Sequence, residues 1–425
     1  MSQKRQVILL MTALTYRAQP FLEASERLGL EMVPAIDMPQ KLADYWQVAL
    51  GIEFSRPEKA VQALVNYAQT HPVQAIISVD DSGSLIAAMA AEALGLPYNS
   101  SRAALASRNK YEMRRLFAMA GVPSPAFKCY AISDDPREIA AEVSYPLVLK
   151  PLLLSGSRGV IRADTPAEFV AAFERILRIL RSTGAAPDSH RLLVEEYIPG
   201  VEVALEGILT DGRLKVLALF DKPDPLEGPF FEETIYVTPS RLPNQVQAQI
   251  ADCASRAATA LGLRVGPVHA ELRVNDEGPW MIEIAARSIG GYCSKTLRFD
   301  MGVSLEELIL RQAAGMEIEG FNRDDQAHGV MMIPIPKAGI LKRVTGVEAS
   351  ETVPGIDEVQ ITSPLNNPLV PLPEGSSYLG FIFASGDNAQ FVEAALREAH
   401  RRLHFEIEDE IPVLRGPLDF IPLQS

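Results

Sequence analysis

Residues 266–291, GPVHAELRVNDEGPWMIEIAARSIGG, alternate apolar and polar side chains on either side of a turn, and no other stretch restricts the fold as strongly. A three-residue loop Asp276–Glu277–Gly278, with the glycine in the left-handed position, is a common hairpin closure. That register sets Asn275 against Pro279, Arg273 against Met281 and Glu271 against Glu283. Directly opposed residues bring their Cβ atoms about 4.5–5.5 Å apart, where two like charges destabilise a sheet unless something neutralises them. A divalent cation does so, and oxygen ligands at this spacing suit Mg²⁺, which takes one or two carboxylates and completes its shell with water and phosphate oxygens.

Alternation predicts an apolar underside of Ala270, Leu272, Val274, Ile282, Ile284 and Ala286, with His269, Glu271, Glu283 and Arg287 on the upper face. A hydrated surface hairpin and a proton shared between the acids are the competing readings. Arg287 beside Glu283, followed by the glycines 290 and 291, favours the metal, because a cation and a flexible turn can receive an anionic intermediate there.

A chain of 425 residues exceeds one ordinary core, and roughly 100 to 200 residues per domain predicts about three. With 47% hydrophobic and 22% charged residues and no low-complexity tract, the chain is a folded one. Its formal charge of −14 argues against nucleic acid, whose recognition needs clustered Lys and Arg. A nucleotide can still bind where a few cations converge with a divalent metal. Cys129, Cys253 and Cys293 stand far apart with no CxxC, so neither structural zinc nor a disulfide framework is expected. The basic start of MSQKRQVILLM precedes an apolar run too short for a signal peptide, and no window approaches the roughly 20 apolar residues of a membrane span. The reading is a cytoplasmic protein.

The first hundred residues alternate buried strands (QVILLM, EMVPAI, QAIISVD) with helices, which predicts a doubly wound parallel sheet. Ligands gather at the carboxyl ends of such strands, marking Thr12, Tyr16 and Arg17 after the first and Asp80, Asp81 and Ser82 after a later one. From about Ser107 the pattern becomes mixed α+β, with a capped helix ending at Gly121 and a hairpin EVALEGILTDGRLKVLALF turned at Asp211–Gly212. Past about residue 325, short strands and an amphipathic helix form a small α+β region. The boundaries expected are 1–106, 107–322, with a lid at about 110–200, and 323–425.

Two further stretches carry chemistry. In VLKPLLLSGSRGV, Lys150 at a strand end precedes a Ser/Gly loop whose backbone N–H groups can approach a triphosphate, although such loops are also plain turns and this is not a P-loop. In LLVEEYIPGVEVALEG, a strand running into Pro199–Gly200 exposes main-chain groups at Glu196 and Ile198 to an adenine edge, while Glu202 can accept from ribose hydroxyls. Lys110, at a helix start, is by itself an ordinary solvated lysine.

Taken in order, Lys110, Lys150 with SGSRG, VEEYIPGVE, Glu271 and IEIAAR resemble the ATP-grasp superfamily, and within it the carboxylate–amine ligases and L-amino-acid ligases. The resemblance implies an ATP-grasp fold between an N-terminal doubly wound α/β domain and a small C-terminal α+β domain. It implies Lys110 and Lys150 on ATP phosphates, Ser155, Gly156, Ser157 and Gly159 in a lid, and Glu195, Glu196 and Ile198 on adenine. Glu202 would hold ribose, Glu271 and Glu283 would hold Mg²⁺ (or Mn²⁺), and Arg287 would act with Lys150 on the transferred phosphoryl group. The implied reaction is ADP-forming: a small carboxylate, an amino acid above all, becomes an acyl phosphate that an amine attacks. Phe230, Phe231, Glu232 and Glu233 are a candidate amine pocket, with His269, Arg287, Gly290 and Gly291 near the substrates. One position departs from the pattern: Ala285 stands where a further metal ligand, Asn, is common. Carboxylation through carboxyphosphate, as in biotin carboxylase relatives, and a non-catalytic nucleotide-binding subunit are the alternatives. The oligomeric state, a homodimer included, stays open.

Overall fold

The computed structural model describes residues 6–13, 15–183 and 191–409, so the basic start at residues 1–5 lies outside the described residues. Strands Gln6–Met11 (β1), Glu31–Asp37 (β2), Leu50–Ile52 (β3) and Val73–Ser78 (β4) pair in parallel in the order β3-β2-β1-β4. Successive residues of β1 point to opposite faces, and Val7, Ile8, Leu9 and Leu10 are all buried because helices cover both. Val7 and Leu9 meet helix Ala18–Leu28 through Phe21 and Ala24, whereas Ile8 and Leu10 meet helices Pro57–Thr70 and Asp81–Leu94.

A second sheet joins Phe127–Ala131 (β5), Leu147–Pro151 (β6), Ile161–Ala163 (β7) and Arg191–Glu196 (β8), antiparallel in the order β5-β8-β6-β7. Helix Pro166–Ser182 lays Phe169, Phe173 and Ile176 on it. Thr165 caps that helix by accepting from the Glu168 N–H at 3.3 Å, a serviceable start for an amphipathic run.

The third sheet carries the chemistry. Strands Val201–Thr210 (β9), Arg213–Asp221 (β10), Ile235–Thr238 (β11), Gly266–Asn275 (β12) and Gly278–Ala285 (β13) lie in the order β13-β12-β9-β10-β11. Strands Ala327–Ile333, Gly380–Gly386 and Ile356–Ile361 extend it in that order, so the region past residue 323 shares this sheet. β9 and β10 turn at Asp211 and Gly212, with φ of 51° and 83°, the doubly left-handed turn that suits strand twist. Helix Asn244–Leu261 packs on one face through Cys253, Ala254 and Ala257; the other face shares a core with β1 and helix Leu305–Ala313. Among the described residues no helix is long and apolar enough to cross a membrane.

The hairpin closes differently from the expectation. Its turn has two residues, Asp276 and Glu277, with Asn275 opposite Gly278 and Arg273 opposite Trp280. A bulge between Glu271 and Leu272 then gives β13 one extra residue, so Glu271 again faces Glu283. The bulge also corrects one assignment to the underside. Met281 faces Leu272 in the core, while Ile282 lines the cavity on the upper face.

Candidate active site

The three sheets enclose a cavity of about 560 Å³, reached by the ends of β1 and β4, the lid loop after β6, and the upper face of β9, β12 and β13. The residues expected after β1 and β4, Thr12, Tyr16, Arg17, Asp80, Asp81 and Ser82, all line it, as parallel topology requires.

At one end two lysines converge. Asn109 caps helix Lys110–Ala120 by accepting from the Tyr111 and Glu112 N–H groups at 3.0 and 3.3 Å, which fixes Lys110 at the first helical position. The Lys110 Nζ donates to the Leu154 carbonyl at 2.8 Å and stands 3.3 Å from Glu283 Oε2. Lys150 leaves β6 on the same face as Val148, whose partner on β8 is Glu195, so Lys150 and Glu195 are diagonal neighbours with Nζ and Oε2 2.6 Å apart. Glu195 is buried and also pairs with Arg114 Nε at 2.6 Å. Burial pushes its carboxyl up, but Arg114 and Lys150 hold it below the ordinary value. The Glu195 side chain expected on adenine is thus taken up by Arg114 and Lys150.

Beside it, Glu196 and Ile198 line the cavity, with the Glu196 N–H given to the Ala126 carbonyl at 2.9 Å and the Ile198 carbonyl taken by Arg273 at 2.9 Å. Ser155, Gly156 and Ser157 of the lid loop face the cavity. Gly159 does not. Its N–H donates to the Pro373 carbonyl at 2.9 Å, and a Cβ there would meet Pro151 Cγ at 2.7 Å.

The other end is built by register. On β12, His269, Glu271 and Arg273 share the upper face, and their β9 partners are Glu206, Ala204 and Glu202. Glu202 Oε2 meets Arg273 Nε at 3.0 Å, and its Oε1 accepts from Lys222 at 2.9 Å. Lys222 also donates to Glu233 at 2.6 Å and to Glu271 Oε1 at 3.0 Å. Burial works against the Lys222 charge, yet Glu202, Glu233 and Glu271 raise its pKa well above the ordinary value.

Burial would raise Glu271, but Lys222 and His269 hold it well below the ordinary range. Glu233 moves the other way, to about 7, through burial and the neighbouring Glu271 charge. Burial lowers His269, and Glu206 and Glu271 on either side of its ring more than offset that. Of the expected amine pocket, Phe231 and Glu233 line the cavity, whereas Phe230 packs under the Arg175 guanidinium in the lid.

Between the ends runs the turn 287–291. Arg287 Nε pairs with Asp81 at 2.9 Å, Arg17 bonds Ser288, and the Gly291 N–H donates to the Tyr16 hydroxyl at 2.9 Å. Gly290 and Gly291 both border the cavity. Glu271 and Glu283 fit a hard divalent cation: they are opposed carboxylates on one cavity, and Lys222 and His269 both approach Glu271 through Oε1. Ala285 also lines the cavity and offers no ligand atom.

Lys222 and Arg114 escaped the sequence reading. A lysine ending a strand, the signal that marked Lys150, was equally present at Lys222; nothing local marks Arg114, which lies within a helix.

Family models match in order along the chain: the ATP-grasp N-terminal domain at residues 22–98, the ATP-grasp domain at 143–296 and the L-amino acid ligase C-terminal domain 2 at 331–408. Alanine–anticapsin ligase of Bacillus subtilis (strain 168) is 28% identical over 309 residues, 67% of this chain and 64% of that protein. Dapdiamide A synthase of Enterobacter agglomerans is 28% identical over 235 residues, 54% of each. The chain thus spans less than two thirds of the length of these curated relatives. The crystal structure of the L-amino acid ligase from Bacillus licheniformis superposes with a TM-score of 0.80 at 25% identity, covering 96% of this chain and 100% of that one. Two ATP-grasp domain models and a ligase C-terminal model thus lie in sequence along a chain that carries the ATP-grasp fold.

Proposed function

We propose that this chain is an ATP-dependent, ADP-forming ligase that converts a small carboxylate, an amino acid above all, to an acyl phosphate and couples it to an amine, forming an amide or peptide bond. The observation that carries this reading is the convergence of Lys110, Lys150, Arg287 and the opposed pair Glu271–Glu283 on one cavity.

Lys110 and Lys150 offset the triphosphate charge, each pre-aimed by a carboxylate partner. Glu202 accepts from the ribose hydroxyls, its oxygens fixed by Lys222 and Arg273. A divalent cation, Mg²⁺ or Mn²⁺, would be held by Glu271 and Glu283 and would neutralise phosphate oxygens during transfer. Arg287, anchored on Asp81, faces the transferred phosphoryl group and then the acyl phosphate. Glu233, with Phe231 beside it, receives the amine, and the Ser155–Ser157 loop keeps water from the acyl phosphate.

A phosphate-release screen pairing amino acids and other small carboxylates with amines tests this. ADP formation that requires both partners is expected, and Glu283→Ala should abolish it. Turnover that depends on bicarbonate, or that proceeds with neither partner, overturns the reading.

A further inference from the structure

Lys222 has a geometry that ribose binding alone does not explain. Its side chain is 3% exposed, and its three ammonium donors go to three carboxylates: Glu202 Oε1 at 2.9 Å, Glu233 Oε1 at 2.6 Å and Glu271 Oε1 at 3.0 Å. The Tyr236 ring closes the fourth side, 4.9 Å from Nζ. The three acids belong to β9, to the segment before β11 and to β12, and each offers an oxygen within 4.8 Å of the others. That spread is one the oxygen shell of a divalent cation can bridge. Three acids gathered this closely require a cation, and the chain supplies one covalently.

The charge is also unevenly shared. Arg273 takes the second oxygen of Glu202, so two cations face three carboxylates, and the remaining negative charge falls to Glu233 and Glu271. On Glu271, Lys222 and the His269 Nε2, 3.5 Å away, both approach Oε1.

We propose that Lys222 is a positioning residue, a built-in cation that fills the Glu202–Glu233–Glu271 cage and excludes divalent metal from it. A divalent cation would then be held at Glu271 and Glu283, and Glu233 would stay available to the amine. The roles of phosphate and amine rest on the ligase reading; the exclusion of metal from the cage does not.

Counting bound Mn²⁺ by electron paramagnetic resonance on the full chain without nucleotide tests the idea. Wild type should show no tightly bound ion in the cage. Lys222→Met, similar in length but uncharged, should gain one Mn²⁺ per chain, Lys222→Arg should not, and adding Glu233→Gln to Lys222→Met should remove the gained ion. In ligation, Lys222→Met should lose about 10- to 100-fold in kcat, with partial recovery in Lys222→Arg.

A wild type that already binds nucleotide-free Mn²⁺ as tightly as Lys222→Met, or a folded Lys222→Met with no added ion, overturns the proposal. If Lys222→Met does not fold, tight nucleotide-free Mn²⁺ that wild type loses on Glu233→Gln overturns it, and its absence supports it. Should no carboxylate and amine support ADP formation, the ligase reading fails while the ion count still decides the role of Lys222.

Discussion

The two ends of the cavity are both organised around buried lysines, and they carry opposite surpluses of charge. At the lid end the ion pairs join three cations, Lys110, Lys150 and Arg114, to two carboxylates, Glu195 and Glu283. At the other end they join two, Lys222 and Arg273, to three, Glu202, Glu233 and Glu271. A chain of net charge −14 can thus suit a polyanion, because binding responds to charges within a few ångströms rather than to the total. It also explains why the buried Glu195 and the half-buried Glu233 shift in opposite directions. Glu195 sits between two cations, whereas Glu233 shares one cation with other carboxylates.

The largest effect should come from breaking the positive end at its root. Arg114→Met leaves Glu195 buried with one partner fewer, and should cost about 3–5 kcal/mol in urea unfolding. A cost below about 1 kcal/mol would mean that the ion network does not support the lid end. Next, Lys150→Ala should fold and lower kcat about 10²- to 10³-fold in an ADP-formation assay, the scale for losing one preorganised charge on a developing anion. If the loss stays under about tenfold, the positive surplus does not serve phosphate.

At the negative end, Glu233→Gln should raise KM for the amine by about tenfold, the value of one charge-assisted hydrogen bond, while KM for ATP stays unchanged. An unchanged KM across all amines removes Glu233 from that role.

The smallest effect concerns the Arg287–Asp81 pair between the ends. Burial pushes the Asp81 carboxyl up, but the Arg287 charge and hydrogen bond hold it below its ordinary value. Its stabilising contribution is therefore present above the unfolded carboxylate pKa and is lost as pH falls through the lower folded value. Asp81→Asn should be less stable than wild type near pH 7, and the gap should close below about pH 4 in unfolding curves. A gap that persists in acid would show that the Asp81 contribution is not electrostatic.

Much of this was legible from residue order. Alternation in β12 and β13 marked Glu271, Glu283, His269 and Arg287 as one face, and the Ser/Gly loop after Lys150 was marked as a lining of the same site. The pairing of Glu271 with Glu283 was reached through a turn one residue too long, and the bulge compensated for it. That error exchanged Met281 and Ile282 between the faces, since a one-residue slip inverts every side chain beyond it.

By itself the sequence determined which strands alternate, where helices are capped and which cations end strands, because these depend on neighbours within a few positions. Only the tertiary structure decided what those cations touch. Lys222 meets acids 20, 11 and 49 residues away, and Arg114 on its helix meets Glu195 on β8 of the second sheet. A charge acts through space, and which charges become neighbours is fixed only when the sheets stack.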